Sequence, residues 1–329
     1  MSKVTLGGGC AVSPTFLIAF GFPHDVPEGQ SHTRLFFLNL ESETRWTHVE
    51  WPGRECVSAC FRPSTAERKR EVSFLSLDGY VRTIGPDGDR ETYIEGSGPE
   101  GTRGLGDLRS IDQFDGTYFA CGAGGQVYRG RNGSWSPIDE GLVSEDDLAW
   151  LDDPSASIDD VVARSRGTEL LTGVGASGTD DVMVCGLSGF VARWDGRSWS
   201  DNSMETKSHV YAMDRTRADE VWLVGQDGLL ATGDPRTRLA AGGIGPAAPN
   251  LYSVARFEGE TFLGSRQGLL RHDGQSVEQV RDARTGIGRS TVIEAIDVVD
   301  DTMWIIGNRH VFRRGGRRME RFAHPDNED

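Results

Sequence analysis

Val221-Trp-Leu-Val-Gly225-Gln-Asp-Gly228-Leu-Leu230 is one of six copies of a single pattern in this chain. The others begin at Val72, Tyr118, Val182, Thr261 and Met303. Each copy has three or four apolar residues, a small residue, two variable residues, a glycine or histidine, and two more apolar residues. The small position is Ser76, Gly122, Gly186, Gly225, Ser265 and Gly307, so the copies step by 46, 64, 39, 40 and 42 residues. The second marked position is Gly79, Gly125, Gly189, Gly228, Gly268 and His310. Two apolar runs joined by a short glycine turn read as a tight hairpin, because glycine adopts positive φ without strain.

Working outward, a second turn follows each hairpin: Asp87-Gly88, Asn132-Gly133, Asp195-Gly196, Asp234-Pro235, Asp273-Gly274 and Gly315-Gly316. Asp-Gly and Asn-Gly are strong hairpin signals. A short strand after that turn often carries an aromatic, as at Tyr93, Trp135, Trp199 and Phe322. Another strand precedes each copy, for example at 210–213 and 292–298. Each unit is therefore four antiparallel strands, A to D, and a repeat of about 40 residues fits a propeller blade. The N-terminal region supplies one more unit, with strands at 4–12, 16–20, 34–40 and 44–51. The prediction is an all-β chain forming a single domain over 1–329, a seven-bladed β-propeller of about 47 residues per blade. Six or eight blades also fit, because the first unit is irregular. Approximate blades are 4–52, 53–96, 107–139, 167–204, 208–240, 250–281 and 291–323, with an insertion at 140–166.

Glu220-Val-Trp-Leu-Val-Gly225 and Arg193-Trp-Asp-Gly-Arg-Ser-Trp199 carry a resemblance to bacterial β-propeller repeat proteins built from similar units. It extends over nearly the whole chain. It implies WD40- or kelch-like architecture, yet the Gly-His and Trp-Asp signatures of WD40 blades do not recur: Gly-His is missing and Trp-Asp occurs once, at Trp194-Asp195. The sialidase Asp-box is only partly echoed at 195–199, where Asp and Gly are adjacent. Propellers host many functions, so the resemblance speaks to architecture.

Composition narrows the function. The 329 residues carry a formal net charge of −15, which disfavours nucleic acid, a polyanion that must be neutralised by cations. No apolar run approaches the ~18 residues of a membrane span, and the N-terminus lacks the apolar stretch of a secretory signal. A cytoplasmic, monomeric protein is expected. The five cysteines, Cys10, Cys56, Cys60, Cys121 and Cys185, are an odd number and read as buried small hydrophobes. Cys56 and Cys60, four apart on a strand, are expected on one face and too far apart to bridge. Arginine carries most of the positive charge, as often follows from a GC-rich bacterial genome.

With this strand assignment the A–B and C–D turns share one face and are short. The B–C and D–A loops share the other, and the long segments 21–33, 96–107, 139–167, 241–250 and 281–290 all fall there. Variable loops gathered at one end of a rigid scaffold are the usual layout of a binding surface. Segment 139–160 stands out, with Asp139, Glu140, Glu145, Asp146, Asp147, Asp152, Asp153, Asp159 and Asp160 and neither lysine nor arginine. Ser144 before three acids reads as a helix N-cap, and Pro154 as its stop. Two short helices are predicted here. Glu145, Asp146, Asp147, Trp150, Leu151, Asp152, Asp153, Asp159 and Asp160 are the candidate partner-binding residues. A tail with Arg313, Arg314, Arg317, Arg318 and Arg321 falls on the last C–D hairpin, on the opposite face, and reads as solvated.

Signals for chemistry are sparse. None of the seven histidines has zinc-like spacing. No metal site is assigned; His24, His32 and His209 come nearest to one. There is no phosphate loop or nucleophile elbow, and the glycine run at 172–178 precedes a hairpin rather than a helix. No catalytic residue or cofactor is expected. The reading is a non-catalytic propeller that binds a basic protein through its acidic, loop-rich face. Such a protein fits a cognate inhibitor, an immunity protein for a secreted bacterial toxin. The alternative is a glycan-active hydrolase or lyase, or a lectin, on the same scaffold.

Overall fold

The computed structural model describes residues 3–27, 29–142, 170–316 and 318–327. The described residues form twenty-eight strands, β1 to β28, in seven antiparallel sheets of four consecutive strands each. The blades run over 4–52, 56–93, 108–137, 171–201, 210–243, 251–279 and 293–323. The first strand of each blade is innermost: β1 (Val4–Ser13), β5 (Cys56–Arg62), β9 (Leu108–Phe114), β13 (Leu171–Gly178), β17 (Val210–Arg217), β21 (Leu251–Phe257) and β25 (Ile293–Val299). Successive inner strands lie side by side, and β25 returns to β1 to close a ring.

Burial explains the sequence pattern. The second strands β6 (Glu71–Ser76) and β26 (Thr302–Gly307) are buried along their whole length, which is why the repeated motif is continuously apolar rather than alternating. An outer strand such as β8 (Gly88–Tyr93) is mostly exposed, and reads as polar. Seven apolar clusters fill the structure, one in each gap between neighbouring blades. The glycines of the motif serve two purposes. Gly79, Gly125, Gly189, Gly228 and Gly268 take positive φ in the B–C turn. Gly225 is extended, at φ −174°, but a Cβ there would lie 1.9 Å from the His209 carbonyl oxygen, so its role is close approach.

Polar seams reinforce the gaps. Asp112, Asp214 and Asp297 on inner strands accept the backbone N–H of Ala176, Arg256 and Ala11 in the next blade, at 2.8, 3.1 and 2.7 Å. Ser58, Ser110 and Ser253 do likewise for Ile111, Val174 and Ile296. The ring closes without exchanging a strand. Asn327 clamps both backbone groups of Val4, accepting its N–H at 3.1 Å and donating to its carbonyl at 2.8 Å. Trp304 donates to the Ser13 carbonyl, and Arg313 to that of Pro14.

Two expectations are corrected, and a third is left without support. The predicted helices of the insertion fall on 143–169, outside the described residues, which contain 3-10 turns but no α-helix. The A–B and C–D turns are not all short, since residues 63–70 join β5 to β6 on that face. That loop is held locally by Thr65, whose hydroxyl accepts the Arg68 N–H, and by Arg68 donating to the Asp115 carbonyl. Cys56 and Cys60 do not share a face. A β-bulge at Val57 shifts the register, so Cys56 packs toward blade 1 and Cys60 toward blade 3. All five cysteines are free and buried.

Candidate functional site: the channel and its loop-rich mouth

The bulge at Val57 is one of a set. Six inner strands have a register shift after their first ladder pair and β1 has one after its third, leaving Gly7, Val57, Arg109, Thr172, Tyr211, Tyr252 and Glu294 unpaired. A bulge bends its strand and re-aims a side chain. The seven residues stand at the end of the inner strands where the B–C and D–A loops gather, around the channel mouth. The ring is regular in backbone and varied in chemistry.

Two adjacent members are aromatic. The rings of Tyr211 and Tyr252 stack across the gap between blades 5 and 6, centroids 5.4 Å apart and 12° from parallel. The Arg266 guanidinium lies 5.5 Å from the Tyr252 centroid, and the His209 ring 6.4 Å from Tyr211. His209 is itself fixed, its Nδ1 accepting the Ser188 N–H at 3.0 Å. Ser188 and Asp227 take positive φ, 53° and 54°, in their B–C turns. Such a conformation costs a residue with a Cβ roughly 1–2 kcal/mol. Part of that cost is offset at Asp227, whose N–H donates to Asn250 Oδ1 at 2.9 Å. Burial raises the Tyr211 phenol and the Glu294 carboxyl above their ordinary ranges. Between blades 4 and 5 a cavity of about 280 Å³, which neither tyrosine lines, is bounded by Glu205, Thr206, Ser208, Asp227 and the edge of β20 (Arg238–Gly243).

Below the mouth the channel holds a cavity of about 500 Å³, lined by residues of all seven inner strands. Asp112, Asp214 and Asp297 face it. Burial pushes Asp112 and Asp297 up to about 6, against the backbone N–H bonds that favour ionisation. Arg215 also borders this space, but its side chain, 1% exposed, runs to Asp181 at 2.7 Å.

The candidate partner-binding residues Glu145, Asp146, Asp147, Trp150, Leu151, Asp152, Asp153, Asp159 and Asp160 lie outside the described residues. The segment's entry is described. Asp139 is buried, takes a bidentate contact from Arg103 at 2.7 and 2.9 Å, and accepts the Val127 N–H. That carboxylate is a structural pin rather than a free charge. The three histidines do not converge. His24 pairs with Thr5 Oγ1 at 2.8 Å, His32 with Glu50 at 2.6 Å, and His209 sits in blade 5 as described. Among the described residues no three His, Cys, Asp or Glu side chains are placed to hold a metal. In the tail, Arg313 and Arg318 pair with Glu320, Arg314 with Glu258, and Arg321 with His310. The hairpin is thus partly neutralised by its own Glu320 and by Glu258 of blade 6. The bulge ring was not anticipated. Its sequence trace is the second residue of six A strands and the fourth of β1, a place with no shared residue type.

The chain is a seven-bladed β-propeller of WD40- and kelch-like architecture without the diagnostic signatures of either. No family model matches it. It is 25% identical over 258 residues to the Immune protein Tsi7 of Pseudomonas aeruginosa, covering 78% of this chain and 76% of that one. Among solved structures it resembles YCF48 bound to a peptide, with TM-score 0.63, 14% identity and coverage of 98% and 93%. It also resembles the WD40 propeller domain of Doa1, with TM-score 0.61, 13% identity and coverage of 94% and 91%. These structural likenesses concern the fold. No helix of the described residues is long and apolar enough to cross a membrane.

Proposed function

We propose that this chain is a protein-binding propeller acting as an immunity protein, the cognate inhibitor of a secreted bacterial toxin. The observation that carries the reading is the similarity to Immune protein Tsi7 along three quarters of both chains. A net charge of −15 supports a basic partner, because opposite charge steers encounter and suppresses wrong partners. The loop-rich face is the contact surface in this reading. The acidic segment supplies Glu145, Asp146, Asp147, Trp150, Leu151, Asp152, Asp153, Asp159 and Asp160 to it. The protein works as a cytoplasmic monomer, holding the toxin before it reaches its target.

The test uses the intact chain and a version with 143–160 replaced by a Gly/Ser linker, each as bait in the native host. One basic protein should be captured by the intact bait and lost at high salt, since exposed charge pairs are screened. Expressed alone, that protein should arrest growth, and co-expression of the intact chain should restore it. A captured protein that is harmless alone, or a toxin that kills equally in the presence of this chain, overturns the inhibitor reading. Equal capture by both baits removes the acidic segment from the interface.

A further inference from the structure

We propose that the stacked pair Tyr211–Tyr252 at the channel mouth is the anchor for the partner, seated against a basic loop of that protein. This rests on the protein-binding reading above, and it places the principal contact on blades 5 and 6. Of the seven bulge residues, two are aromatic, and they are neighbours. An interface draws most of its energy from a few buried aromatic or arginine anchors. Tyrosine suits that role because it offers a large amphipathic surface with few rotatable bonds.

Here the rotational cost is already met. Each tyrosine has one face against the other, Arg266 borders Tyr252, and His209 borders Tyr211. His209 is held in turn by Ser188. The platform is therefore set before a partner arrives, and preorganisation lowers the cost of binding. Both tyrosines remain partly exposed. The charge around them selects the partner. Asp227 acts electrostatically on Tyr211, and the exposed Glu205 joins it in lining the cavity between blades 4 and 5. On the other side Glu294 lies in the field of Arg266, the guanidinium that borders Tyr252, so a loop with arginine or lysine meets its carboxylates on the Tyr211 side.

The test needs no knowledge of the toxin. The probe is the peptide (Gly-Arg)4, with (Gly-Glu)4 as its opposite, titrated into the isotope-labelled full chain and followed by NMR. The expected result is weak, salt-sensitive binding of (Gly-Arg)4, with shifts concentrated at Tyr211, Tyr252 and Asp227. Those shifts should vanish in Y211A/Y252A. They should persist in Y211F/Y252F, which keeps the stack, and in F114A, which removes an exposed aromatic at the opposite end of an inner strand. Matching thermal melts of the variants exclude misfolding. Shifts spread over the acidic surface, or unchanged in Y211A/Y252A, overturn the anchor.

Against a toxin captured as above, Y211A/Y252A should weaken binding by about 30-fold or more, as expected for hot-spot residues. Full affinity in that variant overturns the anchor and leaves the inhibitor reading intact. Localised peptide binding by a chain that protects against no toxin does the reverse.

Discussion

Gly225 shows how one hydrogen atom in place of a side chain sets the geometry of a blade. Its backbone is extended, a conformation open to any residue, so its necessity is steric. A Cβ would meet the His209 carbonyl oxygen, and that oxygen is already committed to the Gln226 N–H. His209 in turn borders the tyrosine pair. We expect Gly225→Ala to lower stability by about 1–3 kcal/mol, the range for forced overpacking. Gly242→Ala, where the nearest atom is 3.6 Å away, should be neutral. Urea denaturation of the two variants beside the parent chain checks the contrast. Equal midpoints would show that the blade shifts to accept the methyl group.

The inner strands combine two devices, a bulge at the mouth and a carboxylate or hydroxyl seam below it. In the seam Asp112 and Asp297 replace a shared ladder between blades that are not hydrogen-bonded as one sheet. The cost is desolvation, which pushes both carboxyls up to about 6. A folded-state value above the unfolded one means that the folded chain holds the proton more tightly. Their contribution to stability is therefore complete below about pH 4 and lost as pH rises through about 6. Glu71 has the opposite sign. Hydrogen bonds from Arg90, then Arg62, hold it down to about 2. Its contribution is present above the ordinary carboxylate range and lost as pH falls toward 2. The difference between parent and D112N/D297N isolates the seam. Between pH 4.5 and 7.5 the parent's Tm should fall relative to the variant's, and parallel curves would show that the two carboxyls do not titrate in this window.

Across the molecule, stability rests on seven similar gaps, each with its own apolar cluster, rather than on one core. The gap between blades 7 and 1 is special because chain connectivity does not bridge it. Its fastener is the C-terminal turn. Asn327 holds Val4, while His324 packs against Phe36 and Trp46 with centroids 4.5 and 4.8 Å away. Burial keeps His324 down at about 4, so it stays neutral near pH 7. Asn327→Ala removes bonds to Val4 and Arg309 and should cost about 1–3 kcal/mol by leaving buried groups unpaired. Hydrogen exchange should quicken in β1 and β25 before β13. Uniform acceleration round the ring would show that closure is cooperative with the whole structure.

Much of this architecture was legible because it repeats. Six copies of the Gly225 motif, each followed by a second turn such as Asp87-Gly88 or Asn132-Gly133, encode local hairpins, and four-stranded blades follow from local rules. The alternation of short and long connections also pointed to one loop-rich face, although residues 63–70 depart from it. The bulges were not legible. A bulge is chosen by how an inner strand must bend to fit its neighbours, so Gly7, Val57, Arg109, Thr172, Tyr211, Tyr252 and Glu294 share a place without sharing a chemistry. The same hidden residue put Cys56 and Cys60 on opposite sides of blade 2. Asp139 looked like one acid among nine until Arg103, 36 residues earlier, was found holding it. Local hydrogen bonding and turn preference are written along the chain, while the meeting of Tyr211 with Tyr252 depends on closing the ring.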